Sequence, residues 1–431
     1  MNEAALVIGG GITGMQSALD IANAGFKVTL VERSSSIGGH MLQLSKVFPT
    51  LDCPQCIGTP KMVEVASHPN IELLTYSEIV KVSGKAGEFK VTIKKKPRYV
   101  DEARCTGCGV CQEKCPWQVE SEFDLGLKKR QAIYTPFPQA VPNIPVIDTE
   151  HCAYFLKGTC RACEKFCEVK AIDFNQKEEY LEREVGAIVV ATGYDIFDPR
   201  LKPELGYGIY PNVITGLELE RLDEAGGPTQ GKILLNGKEP QNVVFIQCVG
   251  SRDKAAGNEY CSRVCCMATA KQAYYIKQKL PQARVTVCYI DVRAYSKGYE
   301  QFYERVQNEG VVYRRGNVSE IYRRGDKLII RAEDTLSGEF FQEEADLVVL
   351  AVGLVPSEGT RELAEVCGLD LGTDSFFQEA HPKLGMVESG VEGIFLAGCC
   401  QSPNDITGSV IQGSAAAAAA CTILSRVKAR A

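Results

Sequence analysis

No run of apolar residues in this chain approaches the ~20 needed to cross a bilayer as a helix, so no membrane span is expected. Positive charge is not in excess: 48 Lys and Arg stand against 54 Asp and Glu, a formal net charge of −6. That balance excludes a broad basic face for nucleic acid or anionic lipid. Histidine is scarce, with four residues and no triad or metal-motif spacing among them. The chain enters an apolar strand at once, without the charged and hydrophobic leader of a secreted protein, which predicts a cytoplasmic location. Tandem repeats and low-complexity tracts are also missing. What the chain holds in plenty is cysteine, 19 in 431 residues. In a reducing compartment such a number predicts metal ligands rather than disulfides. The length leaves room for two or three domains with proper cores.

Eight of the cysteines fall into one pattern. Cys105, Cys108, Cys111 and Cys115, followed by Pro116, have the spacing of a bacterial ferredoxin, in which three thiolates hold one 4Fe–4S cube and the fourth reaches the other. Cys152, Cys160, Cys163 and Cys167 repeat it with a stretched first gap and Glu168 where proline is usual. The crossover rule assigns Cys105, Cys108, Cys111 and Cys167 to one cluster, and Cys115, Cys152, Cys160 and Cys163 to the other. A zinc site or scattered core cysteines would leave these spacings unexplained.

This run interrupts a nucleotide-binding pattern. Ala4 to Ile8 reads as a strand, Gly9-Gly10-Gly11-Ile12-Thr13-Gly14 as a glycine turn opening a helix to about Ala24, and Lys27 to Val31 as a second strand ending at Glu32 and Arg33. That is the dinucleotide fingerprint in its proper setting. Gly9 permits the tight turn, Gly11 lets the backbone approach a pyrophosphate, and Gly14 lets helix and strand pack closely. The helix N-terminus favours phosphate, and Glu32 is placed to accept from a ribose hydroxyl. FAD is expected rather than NAD. A second glycine pair, Gly38 and Gly39 beside His40, follows at once. Ala191-Thr192-Gly193 ends a later strand, and Ile394-Phe395-Leu396-Ala397-Gly398 leads to Asp405. These pieces, in this order, are those of flavoproteins with two dinucleotide-binding domains. The second such domain is altered. Its expected first strand, Asn242 to Gln247, runs into Cys248-Val249-Gly250-Ser251 without a glycine fingerprint, and Cys261, Cys265 and Cys266 follow. A nicotinamide site is not expected there; a third cluster, or buried thiols, would account for the four cysteines.

The remaining features are less directive. Arg284 to Tyr289 and Asp346 to Val352 read as strands, Tyr299 to Glu309 as a helix, Lys327 to Glu333 with Gly338 to Glu343 as a hairpin, and Ser414 to Ser425 as a closely packed helix. Lys94-Lys95-Lys96 reads as a solvated domain boundary. Cys53 and Cys56 form a CxxC that fits a redox disulfide, ligands to another cluster, or inert thiols. Cys288, Cys367 and Cys421 sit in apolar stretches and read as core. Lys61 is a candidate flavin contact, with a surface lysine as the alternative. The resulting division is 1–96 and 181–235 as flavin-binding segments around a ferredoxin insert at 97–180, then an altered nucleotide domain at 236–355 and a flavin-binding return at 356–431.

Thr50-Leu51-Asp52-Cys53-Pro54-Gln55-Cys56, Thr59-Pro60-Lys61-Met62-Val63-Glu64, Ala132 to Pro142, Phe245 to Arg252 and Cys261 to Cys266, together with the glycine turn and the insert, resemble the HdrA component of heterodisulfide reductase over essentially the whole chain. The resemblance is to a short form without the extra N- and C-terminal cluster domains. It implies an α/β, thioredoxin-reductase-like flavoprotein with an inserted bacterial-type two-cluster ferredoxin domain, and a third 4Fe–4S cluster on Cys248, Cys261, Cys265 and Cys266. It further implies an oxidoreductase component whose FAD splits or gathers electron pairs. The implied partners are HdrB- and HdrC-like subunits, ferredoxin and a hydrogenase, formate dehydrogenase or similar donor, around a homodimeric core. A self-contained NAD(P)H-dependent flavin disulfide reductase and a non-catalytic cluster-bearing scaffold are the competing readings.

Overall fold

The computed structural model describes residues 2–235 and 237–429. In chain order the elements that position the sites begin with β1 (Ala4–Ile8), α1 (Ile12–Asn23), β2 (Lys27–Glu32), α2 (Pro54–Ser67), β3 (Ile71–Thr75) and β4 (Phe89–Lys95). After the insert come β5 (Glu179–Val185), β6 (Ala187–Val190), α3 (Gly216–Asp223), β7 (Asn242–Val249) and α4 (Cys265–Lys279). The chain ends with β8 (Arg284–Tyr289), α5 (Tyr299–Asn308), β9 (Val312–Arg315), β10 (Leu347–Val352), β11 (Ile394–Leu396) and α6 (Ile406–Lys428).

Two parallel sheets carry the fold. The first runs β11-β6-β1-β2-β3, with an antiparallel extension through Gly385–Ser389 and Glu379–His381. Its strands are continuous apolar runs, as both faces are covered. Ala5 and Val7 point into one core with α1, and Leu6 and Ile8 into the other. The second sheet, also parallel, runs Val213–Thr215, β10, β7, β8 and β9. The hairpin of residues 327–345 is present, as Lys327–Asp334 pairs antiparallel with Glu339–Ala345.

The cysteine-rich segment leaves from the end of β4 and returns at the start of β5. Lys95 and Glu179 are register partners, so the segment loops out of one antiparallel pair. Arg98 anchors it. This guanidinium is almost wholly buried, donating to the carbonyls of Ser35 (2.7 Å) and Ile144 (3.2 Å) and pairing with Glu102 at 2.8 Å. The lysine run differs from the sequence reading. Lys94 and Lys95 belong to β4, and the three lysines pair with Glu178, Glu102 and Glu78 rather than facing water as a linker.

α6 begins eight residues earlier than the alanine run suggests and spans 23 residues. Against the expectation from the sequence, it is the one helix among the described residues long and apolar enough to cross a membrane, with a mean hydropathy of 1.3 over its apolar window. Its Ala416, Ala417, Ala420 and Leu424 are instead buried against α1 in the core of the first sheet. Ser17 Oγ on α1 donates to the carbonyl of Gly413 at 2.9 Å where the two helices cross.

Candidate cofactor sites

A cavity of ≈ 620 Å³ opens at the C-terminal ends of β1, β2 and β6 and extends to α3 and α4. This is where ligands bind in open parallel sheets, and the volume is in the range of cofactor pockets. Its floor is the glycine turn. Gly9, at φ +105°, would place a Cβ 2.3 Å from the carbonyl oxygen of Ala191, and a Cβ on Gly14 would sit 1.8 Å from the carbonyl oxygen of Gly9. Both positions are closed to side chains by backbone. Gly11 is different: a Cβ there meets nothing within 4 Å, because the position faces the cavity. Gly38 N–H donates to the Gly10 carbonyl at 2.8 Å, and Gly39 lies against Gly11. The second glycine pair thereby continues the same floor. Glu32 braces the turn, accepting from Gly10 N–H (2.6 Å) and Ser34 N–H (2.7 Å).

The other walls carry Arg33, His40, Thr192, Gly193 and Asp405. His40 stacks on Tyr194 with ring centroids 4.7 Å apart. Asp405 is held by Tyr299 Oη (2.6 Å), Tyr295 Oη (3.3 Å) and Gly408 N–H (2.7 Å). Thr192 Oγ1 and Thr269 Oγ1 are buried on the wall and find no hydrogen-bond partner among the described residues. Buried hydroxyls are normally paired; these two are free to bond a bound molecule. An open α-carbon over a helix N-terminus, a braced acidic side chain and two unpaired hydroxyls fit a dinucleotide such as FAD.

Two sequence candidates lie off this wall. Lys61 donates to Gln16 Oε1 at 2.7 Å, a contact between α2 and α1, and does not reach the cavity. Gly398 sits behind it: its N–H donates to Gln412 Oε1 (2.9 Å), and a Cβ would strike the Thr13 side chain. Sequence reasoning missed the most polar part of the wall. Lys271 on α4 and Glu220 on α3 are 1% and 2% exposed and pair at 2.7 Å. Lys271 also donates to the Lys46 carbonyl (2.7 Å), and Gln272 donates to Glu220 at 2.6 Å. The available signal was the polar pair Lys271 and Gln272 set between Ala270 and Ala273 on α4.

Six of the eight insert cysteines, all but Cys108 and Cys160, cluster in a small apolar core with Val100, Ile133, Ile147, Ile172 and Phe174. Burial pushes the Cys111 thiol up to about 12, with further upward pressure from Cys105, Cys108 and Cys167. Cys163 is likewise pushed up to about 12, by burial and then by Cys152, Cys111 and Cys115. Cys111 is surrounded by the sulfurs the crossover rule gives it, whereas Cys163, on the short helix Ala162–Lys165, has Cys111 of the other set beside it as well as Cys152 and Cys115. Backbone N–H groups point at sulfur, from Gly107 to Cys105 (3.5 Å) and from Ala171 to Cys167 (3.2 Å). Thiols held up by burial ionise only with a cation to compensate them, which iron supplies. Among the described residues no three His, Cys, Asp or Glu side chains converge as for a single metal ion. A cube differs from such an ion, since each thiolate binds its own iron around the cluster.

Cys248, Cys261, Cys265 and Cys266 lie close enough to act electrostatically on one another. Cys248 has a φ of +61°, at the point where the β7–β10 register shifts, and Arg263, between Cys261 and Cys265, has the same φ. Burial and the other three sulfurs raise Cys265 well above an ordinary thiol. Burial, followed by Cys266, pushes Cys248 up to about 11. Cys265 lies on the flavin-cavity wall as well as in this set. Where a nicotinamide domain would offer its glycine turn, the Cβ position of Gly250 is filled by the Phe197 ring at 2.2 Å. Cys53 caps α2, its Sγ 3.3 Å from Cys56 N, and neither thiol lines the cavity. Cys288 and Cys367 are core residues, whereas Cys421 is half-buried.

Gly11→Val separates folding from flavin binding, because its side chain would enter open space. The variant is expected to fold and keep its iron while holding FAD about tenfold or more less tightly, the cost of one lost charge-assisted contact. Flavin released on denaturation and counted per chain measures it.

The family of FAD dependent oxidoreductases matches residues 4–41 and that of 4Fe-4S binding domains residues 98–119. Thioredoxin reductase of T. acidophilum has a similar fold, with a TM-score of 0.53 at 15% identity, covering 98% of this chain and 99% of that one. One of the two A-type iron-sulfur subunits of CoB–CoM heterodisulfide reductase from Methanopyrus kandleri is 54% identical over 429 residues, 98% of this chain and 65% of the relative. The A-type component of the H2:CoB-CoM heterodisulfide,ferredoxin reductase of Methanothermobacter thermautotrophicus is 51% identical, over 97% of this chain and 64% of its own length. The chain thus spans just under two thirds of the length of these relatives. Such identity along nearly the whole chain, on a thioredoxin-reductase-like fold with flavin and iron–sulfur segments, places it in the HdrA family of heterodisulfide reductase components, and the chain belongs to that family.

Proposed function

We propose that this chain is the FAD and iron–sulfur electron-transfer component of a heterodisulfide-reductase-type complex in the cytoplasm. It would exchange electrons with B- and C-type subunits, ferredoxin and a hydrogenase or formate dehydrogenase module, around a homodimeric core. The domain division and the three cluster assignments belong to the same proposal. One observation carries it: Cys265 is shared between the flavin-cavity wall and the third cysteine set. Bound FAD takes up two electrons together and releases them singly, whereas each cube carries one.

The chain's own residues set the conditions for that exchange. The glycine floor and the N-terminus of α1 hold the diphosphate. Glu32 offers its carboxylate to the ribose, and the tyrosine-held Asp405 stays fixed against the far half. Lys271 and Glu220 place a compensated charge pair in the wall, where burial strengthens its field. The missing glycine fingerprint after β7 supports electron supply by clusters rather than by a nicotinamide, so NAD(P)H is expected not to bleach the flavin.

Iron and flavin content of protein purified without oxygen tests the assignment. About twelve iron atoms per FAD are expected for three cubes. About eight would confine the clusters to the insert, and about sixteen would bring in Cys53 and Cys56 as ligands.

A further inference from the structure

Cys266, in the first turn of α4, has its Sγ 3.5 Å from Gln247 Oε1 and 3.5 Å from the Asp291 carbonyl. Gln247 is 3% exposed and immediately precedes Cys248 on β7. Its Nε2 is buried with no hydrogen-bond partner among the described residues.

A buried donor left unpaired costs about 1–3 kcal/mol, and one beside a cysteine calls for an explanation. The chemistry of sulfur supplies one. A thiol donates its S–H to an amide oxygen, which is the arrangement Cys266 and Gln247 adopt. An iron-bound thiolate has no proton and only accepts. The two ends of an amide exchange by a half-turn of the side chain, so ligation of Cys266 turns Nε2 toward sulfur and gives the unpaired donor its acceptor.

We infer that Gln247 is a hydrogen-bond donor to a sulfur of the third cluster and raises its midpoint potential. The inference rests on the third-cluster assignment above and goes beyond it by naming the residue that tunes the cluster. Reduction adds one electron and one negative charge to the cube, and donors aimed at sulfur stabilise that form over the oxidised one. The field is in place before the electron arrives, so the cluster nearest the flavin cavity is poised to receive it.

The test is an EPR-monitored redox titration of the full chain, purified without oxygen, for wild type, Gln247→Leu and Gln247→Met. Each variant is expected to shift the third cluster's one-electron equilibrium about tenfold toward the oxidised form, about 59 mV. The insert clusters should keep their potentials. Deuteron couplings to this cluster after exchange into heavy water should weaken in both variants, a signature that a purely structural role would not move. Gln247→Met keeps the length of the side chain and removes its donor, so it decides the matter even where Gln247→Leu assembles poorly. Unchanged potential and couplings in Gln247→Met at full iron content would overturn the inference and leave the third cluster standing. About eight iron atoms per FAD in the wild type would overturn both together.

Discussion

Replacing Cys261 with serine is expected to remove about four iron atoms per chain and leave the flavin bound. Cys261 is the ligand to choose, because it lies in the loop before α4, half-buried, with its sulfur accepting the Arg263 N–H at 3.3 Å. Cys265 would confound the result, being part of the flavin-cavity wall. A serine oxygen is a poor substitute for thiolate in an iron–sulfur site, and a cube held by three ligands on a surface loop is exposed to loss. The glycine floor, Glu32 and Asp405 stand on other elements and are not expected to respond. Iron content should therefore fall from about twelve to about eight atoms per FAD, with flavin near one per chain. Electron flow between flavin and partner subunits should fall with it. An unchanged iron count would separate the third cysteine set from any cluster and return Cys53 and Cys56 as candidates.

How much of this was legible in the sequence follows from how local each cause is. Gly9, Gly11 and Gly14 answer to the turn they form, so spacing reveals them and the structure shows the reason at each position. The β7 and β8 strands, whose central residues form buried runs rich in valine in a parallel sheet, were readable for the same reason. α4 was not. Ten of its 15 residues are buried around the whole circumference, which erases the amphipathic period that marks a surface helix. α6 was read short because Gly408 and Gly413 look like breakers. At Gly413 a Cβ would lie 2.8 Å from the Thr13 carbonyl, so the glycine serves the crossing with α1. Long-range pairing hid the rest. Nothing near Lys271 in sequence announces Glu220, 51 positions away, and nothing near Lys61 shows that Gln16 takes its ammonium.

That hidden pair gives the largest expected loss of stability. In Lys271→Met the methionine fills similar volume, but Glu220 keeps a carboxylate that is 2% exposed and has lost its cation. Ser45 N–H and Oγ, both at 3.1 Å, and Gln272 Nε2 remain as neutral donors. Leaving one partner of a buried ion pair costs about 3–5 kcal/mol, whereas replacing both by groups of similar shape is often close to neutral. The double variant Lys271→Met/Glu220→Gln is therefore expected to recover most of the loss, and the cycle measures the coupling directly. Screening offers a second check, since a pair so buried should respond little to salt, unlike the exposed Arg331–Glu320 pair. The flavin should report the change too. Lys271 reaches the Lys46 carbonyl and Glu220 the Ser45 backbone, so the pair ties α3 and α4 to the segment that follows the second glycine pair. Loosening that tie opens the cavity between the two sheets, and Lys271→Met should lose FAD on dilution before it unfolds. A single variant as stable as wild type, with its flavin retained, would show that the apolar packing of α4 holds this wall without the charges.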